Sequence, residues 1–125
     1  MAATRTEQQV LAGWREIRAL HARTVCALDR ELHTFGLGAS DFEVLDVLAP
    51  EGSLRMQEVA DRVHLSQSAL SRLVARLEKG GLLNRGMCPT DRRGVSVCLT
   101  EQGRAVYESA LPVQRAVLER SLSST

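Results

Sequence analysis

Apolar residues recur at spacings of three and four over the first third of the chain, from about residue 7 to residue 35. The resulting stripe consists of Val10, Trp14, Ile17, His21, Thr24, Leu28, Leu32 and Phe35. This spacing is typical of an amphipathic helix with one buried face. Such a helix, about 29 residues and roughly 43 Å long, exceeds the ~35 Å diameter of a compact domain of this chain length. We therefore expect a second copy of the chain to cover the overhanging stripe.

Three shorter helices are predicted after a glycine-rich break. Ser40 and Glu43 have the spacing of a capping box, which predicts the start of the second helix. The third helix covers about residues 54–64. The fourth runs over about 66–79, with Ser66 as its N-cap and a pair of glycines at its end.

A β-ribbon is predicted next. Alternation of Val95, Val97 and Leu99 with polar residues indicates a strand, and residues 82–87 are long enough to pair with it. Residues 89–94 have turn composition and are too many for a tight hairpin, so they predict a protruding charged tip. Thr100 is the expected cap of a last helix.

This order of elements predicts a mainly α fold with a small β-ribbon, in which a winged helix-turn-helix is combined with long dimerisation helices. We divide the chain into an N-terminal dimerisation helix over 1–36, a winged helix-turn-helix over 37–100 and a C-terminal dimerisation helix over 101–125.

Composition supports a globular protein of one domain, or one domain with a helical arm. The chain has 125 residues, of which 44% are hydrophobic and 25% charged, which is ordinary for such proteins. No apolar run approaches the ~18 residues of a membrane span, and the N-terminus lacks an apolar secretion signal. We expect a cytoplasmic protein without membrane contact.

The three cysteines lack CxxC spacing, and we expect no disulfide, including between Cys88 and Cys98.

Charge is distributed unevenly along the chain. The net charge is only +1, but residues 66–99 carry six Lys or Arg side chains against two acidic ones. A neutral chain with one basic third has a polarised surface, and an anion would bind at that third.

The fourth helix has two contrasting faces. The face expected to be buried carries Leu70, Leu73, Val74 and Leu77. The opposite face has no acid and no bulky apolar group, and its candidate DNA-binding residues are Ser66, Gln67, Ser68, Ser71, Arg72 and Arg76. Small residues let a helix approach a surface closely, and arginines read guanine edges or phosphates, so this face fits the DNA major groove.

The ribbon tip carries Asp91, Arg92 and Arg93. An arginine on a β-ribbon can enter the narrow, electronegative minor groove next to the groove that the helix occupies. A nearby aspartate can orient its guanidinium group through a bidentate pair. These three residues complete the predicted DNA-binding set.

The chain resembles the MarR-type transcriptional regulators. The resemblance rests on MQEVADRVHLS at 56–66, SALSRLVARLEKGGLL at 68–83, the DRR of the wing at 91–93 and LTEQG at 99–103. It implies a homodimer that binds a pseudo-palindromic double-stranded DNA operator, with residues 66–76 in the major groove. It also implies that Arg93 enters the minor groove, with Asp91 as its orienting partner.

The same resemblance implies regulation by a ligand. Many members are released from DNA by small aromatic or phenolic molecules held between the dimerisation helices and the winged domain, and Trp14 and His21 lie near that region. Members usually have a further C-terminal helix that closes the dimer, and this chain stops about where it would begin. Either the chain is truncated or its dimer relies on the first and last helices alone. The resemblance therefore predicts a ligand-responsive transcriptional regulator that acts as a repressor; no single residue of the sequence indicates repression.

Two other functions stay open at this stage. One is a winged-helix adaptor that binds proteins instead of DNA; it would need an acidic or apolar outer face on the fourth helix. The other is a redox-sensing regulator that uses Cys26, with Arg23 and Arg30 at helical spacing beside it, although a buried apolar role for this cysteine is the simpler interpretation. No metal-ligand spacing, catalytic motif or phosphate-binding loop occurs, so we predict no metal, no cofactor and no enzyme activity.

Overall fold

The computed structural model describes the backbone of residues 2–88 and 91–123 and the side chains of residues 6–86 and 95–123. Its elements are α1 (Ala2–Leu32), a 3-10 turn (His33–Phe35), α2 (Ala39–Leu48), β1 (Ser53–Arg55), α3 (Met56–Val63), α4 (Gln67–Lys79), β2 (Leu83–Cys88), β3 (Asp91–Leu99) and α5 (Glu101–Ser123). The mainly α class and the winged helix-turn-helix order are confirmed.

The sheet has three antiparallel strands in the order β1-β3-β2. Val97 pairs with Arg85 on one side, as the ribbon predicted, and with Leu54 on the other. The sequence pattern missed β1 because three residues are too few to show an alternation. Leu54 is nevertheless buried, so this short strand, paired with β3, connects the β-ribbon to the hydrophobic core.

The β-ribbon formed by β2 and β3, which is the wing, begins its second strand earlier than predicted. β3 begins at Asp91 and not near Val95, and its ladder reaches the pair Cys88–Asp91 after a register shift between Gly86 and Cys88. The prediction that residues 91–94 belong to a turn is therefore wrong, because strand pairing continues past the shift in spite of a composition typical of turns.

The start of α2 also differs. The helix begins at Ala39, one residue before the expected Ser40 cap. The Asp41 carboxylate accepts the Gly38 N–H at 2.8 Å, and Asp29 of α1 accepts the Ala39 N–H at 2.7 Å. The Ser40–Glu43 capping box is therefore wrong: the N-cap is Gly38, and the carboxylates of Asp41 and Asp29 accept the free amides of this earlier start.

Two cysteines depart from the sequence interpretation. Cys98 is disulfide-bonded, so the expectation of no disulfide is wrong for this residue. That expectation rested on strand register alone, and the residues paired with Cys98 are Ser53 and Asn84. Cys26 has a free thiol and is exposed on α1, so it is not the buried apolar residue that we favoured.

The hydrophobic core lies between the C-terminal half of α1, the winged domain and α5. Phe42, Leu45 and Leu70 are fully buried in it, together with Leu28 and Leu32 of α1. In the N-terminal half of α1 the apolar stripe is exposed to solvent. Its accessible fractions are 68% for Val10, 45% for Leu11, 55% for Trp14 and 63% for Ile17.

A polar seam joins α2 to α5. The Tyr107 hydroxyl donates to Asp46 at 2.7 Å, and Arg115 pairs with the same carboxylate at 3.2 Å. The Tyr107 ring stacks on Phe42 with centroids 5.4 Å apart. Burial first, and then the bond to Asp46, raise the pKa of Tyr107 from its ordinary 10.0 to about 12.

This pKa predicts a loss of stability in alkali. Between pH 10 and 12 the folded chain keeps the Tyr107 proton and the unfolded chain loses it, so the free energy of unfolding falls as pH rises through that window. Tyr107→Phe should lower stability by about 1 kcal/mol at pH 7 and remove this fall. Tyr107 is the only tyrosine of the chain, so urea unfolding at pH 9 and pH 11 measures its contribution. An equal fall in the variant and the wild type would contradict the assignment.

Candidate nucleic-acid interface

The inner face of α4 packs as the sequence predicts. Leu70, Leu73, Val74 and Leu77 are all buried. The Ser66 Oγ accepts the Ala69 N–H at 3.2 Å, which confirms Ser66 as the N-cap. The orientation of the helix is therefore fixed, and the opposite face points away from the core.

The outer face of α4 is slim and free of acids near its start. Ser66, Gln67 and Ser68 are exposed, Ser71 is half-buried, and no acidic residue occurs in the first turn. The free amides and positive dipole end of the helix are thus accessible to an anion. A phosphate group is one such anion.

The two arginines of this face are in different situations. Arg72 is exposed and forms no ion pair with any side chain that the structure describes. Arg76 donates two hydrogen bonds to the buried Asp41 of α2, at 2.5 and 3.2 Å. The hydrogen bond to Asp41 raises the pKa of Arg76. The sequence pattern treated the two arginines as equals, because a partner 35 positions away leaves no local signal.

The wing starts beside the C-terminal end of α4. The Arg85 N–H of β2 donates to the Glu78 carboxylate at 3.2 Å, so the only acid of α4 faces the wing's backbone. The backbone of Asp91, Arg92 and Arg93 belongs to β3, while their side chains lie outside the described residues. Their DNA-binding roles stay predictions.

A cavity of about 690 Å³ lies between α1, the start of α2, the end of α3 and α5. Its polar lining residues are His21, Thr24, Ser40, Glu43, Arg62 and His64. Apolar residues such as Val25, Leu28 and Leu118 form the rest of the wall. Burial, and then the neighbouring Asp46 charge, raise the pKa of Glu43.

Of the two proposed pocket residues, only His21 lines this cavity. Trp14 lies about two turns nearer the N-terminus, in a separate groove with Val10 and Leu11 on α1. The sequence placed them together because both lie on one helical stripe, whereas the winged domain covers only the C-terminal part of that stripe. Trp14 belongs to the exposed apolar surface.

The described residues contain no group of three or more His, Cys, Asp or Glu side chains that could hold a metal ion. Within the same part of the chain, no helix has the length and apolarity that a membrane span requires.

Comparison with known proteins gives the family. A family model described as "MarR family" matches residues 35–94. A MarR-family transcriptional regulator from Streptomyces coelicolor, solved in complex with DNA, is 31% identical to this chain and superposes with a TM-score of 0.81. The match covers 95% of this chain and 75% of the Streptomyces chain. The chain belongs to the MarR family of transcriptional regulators. Family membership confirms the resemblance on which the sequence interpretation rested.

Other similar proteins carry more specific names. The transcriptional repressor MdtR of Bacillus subtilis is 33% identical over 70% of this chain and 57% of its own length. A Bordetella bronchiseptica regulator, BpsR, whose DNA binding is regulated by 6-hydroxynicotinic acid, is 25% identical with a TM-score of 0.81, covering 91% of this chain and 86% of that one. The matched stretch spans 56–66% of the length of the first curated relatives. These relatives are named as regulators and not as enzymes.

Proposed function

We propose that this MarR-family chain is a ligand-responsive transcriptional repressor that binds a pseudo-palindromic DNA operator as a homodimer in the cytoplasm. The observation that carries the proposal is the outer face of α4, which is exposed and acid-free at its start. Its Arg72 has no ion-pair partner among the side chains that the structure describes. This face has the width and the donors that the major groove accepts. A 31% identical relative that was solved in complex with DNA supports DNA as the partner.

The homodimer is supported by the exposed apolar stripe of α1. Four large apolar residues, Val10, Leu11, Trp14 and Ile17, stand 45–68% accessible on one helix. Apolar surface of this kind is stabilised when a second surface removes it from water. A second copy offers the same stripe and leads to a closed twofold dimer, which in turn matches a pseudo-palindromic operator.

The effector proposal rests on the cavity lined by His21. An apolar wall with a few imidazole and guanidinium donors fits a small aromatic or phenolic molecule, including one with a carboxylate. BpsR responds to an aromatic acid, which supports this class. The cavity lies between α1 and the winged domain, so a bound molecule contacts both.

The function is tested by selecting genomic DNA fragments that bind the purified chain and sequencing them. We expect a shared inverted repeat, and an affinity that falls steeply between 50 and 200 mM salt because the basic surface displaces counterions from DNA. Hydroxylated aromatic acids, with 6-hydroxynicotinic acid as the first probe, should release the selected duplex. No binding to any fragment at 50 mM salt would favour the protein-binding adaptor instead.

Arg72→Ala should weaken binding to the selected duplex by roughly 1–3 kcal/mol and relax the preference at one base position. The reason is that Arg72 is the exposed arginine of α4 whose guanidinium group has no acidic partner among the described side chains. Fluorescence anisotropy with the operator and with single-base variants measures both effects. Arg15→Ala on α1 removes the same charge away from α4 and serves as the control. Equal affinities for all three proteins would remove Arg72 from the interface.

A further inference from the structure

The start of α2 is connected by hydrogen bonds to both α1 and α4. Asp41 accepts the Gly38 N–H at 2.8 Å and both guanidinium donors of Arg76 at 2.5 and 3.2 Å. The next amide, that of Ala39, donates to Asp29 of α1 at 2.7 Å. A few residues at one helix start thus fix α4 relative to α1, the helix with the exposed stripe.

The Asp41–Arg76 pair is unequally buried. The Asp41 side chain is 5% accessible, whereas that of Arg76 is 58% accessible. A buried carboxylate requires its partners, because an unpaired buried charge is strongly unfavourable. The guanidinium fork of Arg76 is therefore held by Asp41 and cannot make a second bidentate contact to a guanine edge through the same donors.

We propose that Arg76 is a positioning residue for DNA binding: its ion pair with Asp41 holds α4 at the angle at which Arg72 and the N-terminal amides meet DNA. This inference rests on the proposed function. It assigns Arg76 a different role from the direct DNA contact that the sequence predicted. Helix position matters for such contacts because they depend on sub-ångström geometry.

The two roles predict opposite effects for Asp41→Asn. The substitution removes one negative charge per chain and leaves Arg76 without its carboxylate. If Arg76 contacts DNA directly, both changes strengthen binding. If the pair positions α4, binding weakens in spite of the more favourable charge. The asparagine carbonyl can still accept the Gly38 N–H, so the start of α2 keeps that bond.

We expect Asp41→Asn and Arg76→Ala each to weaken binding of the selected duplex by about tenfold, and the double variant to be no weaker than either, because the two residues act as one unit. The slope of log affinity against log salt should stay at the wild-type value in Arg76→Ala, whereas loss of a phosphate contact lowers it by about one per chain. Asp61→Asn, an exposed acid on α3, has the same charge change and should bind at least as tightly as wild type.

Binding is measured by anisotropy on variants whose circular dichroism shows the wild-type helix content. Tighter binding by Asp41→Asn, additive losses in the double variant, or a reduced salt slope in Arg76→Ala would each overturn the positioning role. Should Asp41→Asn not fold, Arg76→Lys decides the question: it keeps the charge and loses the fork, so we expect the affinity of Arg76→Ala, and wild-type affinity would overturn the inference. Failure of the wild-type chain to bind DNA would instead refute the proposed function.

Discussion

Gly103→Ala is expected to lower the free energy of unfolding by about 3 kcal/mol or more, at the upper end of what overpacking costs. A Cβ at this position would lie 2.1 Å from the Leu82 carbonyl oxygen and 2.9 Å from the Leu99 Cδ1. The Leu82 oxygen already accepts the Thr100 N–H at 3.1 Å. Because the closest contact is with the main chain, no side-chain rotation relieves it.

The same junction sets the direction of α5. Thr100 caps the helix, since its Oγ1 accepts the Gly103 N–H at 2.9 Å and donates to the Gly81 carbonyl at 2.7 Å. Moving α5 to accommodate a methyl group would therefore also break the link to the start of β2. Urea unfolding of Gly103→Ala measures the loss. Ser109→Ala, an exposed position of the same helix, should stay within about 0.5 kcal/mol of wild type, and a similar result for Gly103→Ala would contradict the clash.

Trp14→Glu is expected to make the chain monomeric at micromolar concentration and to weaken operator binding by about 100-fold or more. Trp14 is 55% accessible in the single chain and lies in the middle of the exposed stripe of α1. In the proposed dimer a carboxylate there would be buried without a partner. Loss of the dimer separates two DNA-binding surfaces whose linkage raises affinity by a factor of about 10² to 10⁴.

Light scattering gives the mass of the variant, and anisotropy gives its affinity for the duplex. Ala19→Glu adds the same charge on the exposed opposite side of α1 and should remain dimeric with wild-type affinity. A Trp14→Glu protein that stays dimeric would contradict the assignment of this stripe to the dimer interface.

Features that depend on local pattern could be predicted from the sequence. The buried stripe and Ser66 cap of α4 follow from helical spacing and a side chain three residues from its partner. The pairing of β2 with β3 follows from alternation in adjacent segments. In each case the interacting groups are close in the chain.

Features formed by distant residues could not be predicted in this way. β1 is a strand because Leu54 pairs with Val97, and its three residues have no pattern of their own. The sequence does not distinguish Arg76 from other exposed arginines, because its partner Asp41 lies 35 positions away in the chain. The exposure of Cys26 depends on how far the winged domain covers α1, which helical spacing does not define.

The central claim is that two α4 helices enter neighbouring major grooves of one operator. Dimethyl sulfate footprinting tests this most directly, because the reagent methylates guanine N7 in the major groove. On the selected duplex we expect two protected blocks about 10–10.5 base pairs apart, centre to centre, and loss of protection at one guanine in each block with Arg72→Ala. Binding that leaves every major-groove N7 reactive, or a single protected block, would contradict the account.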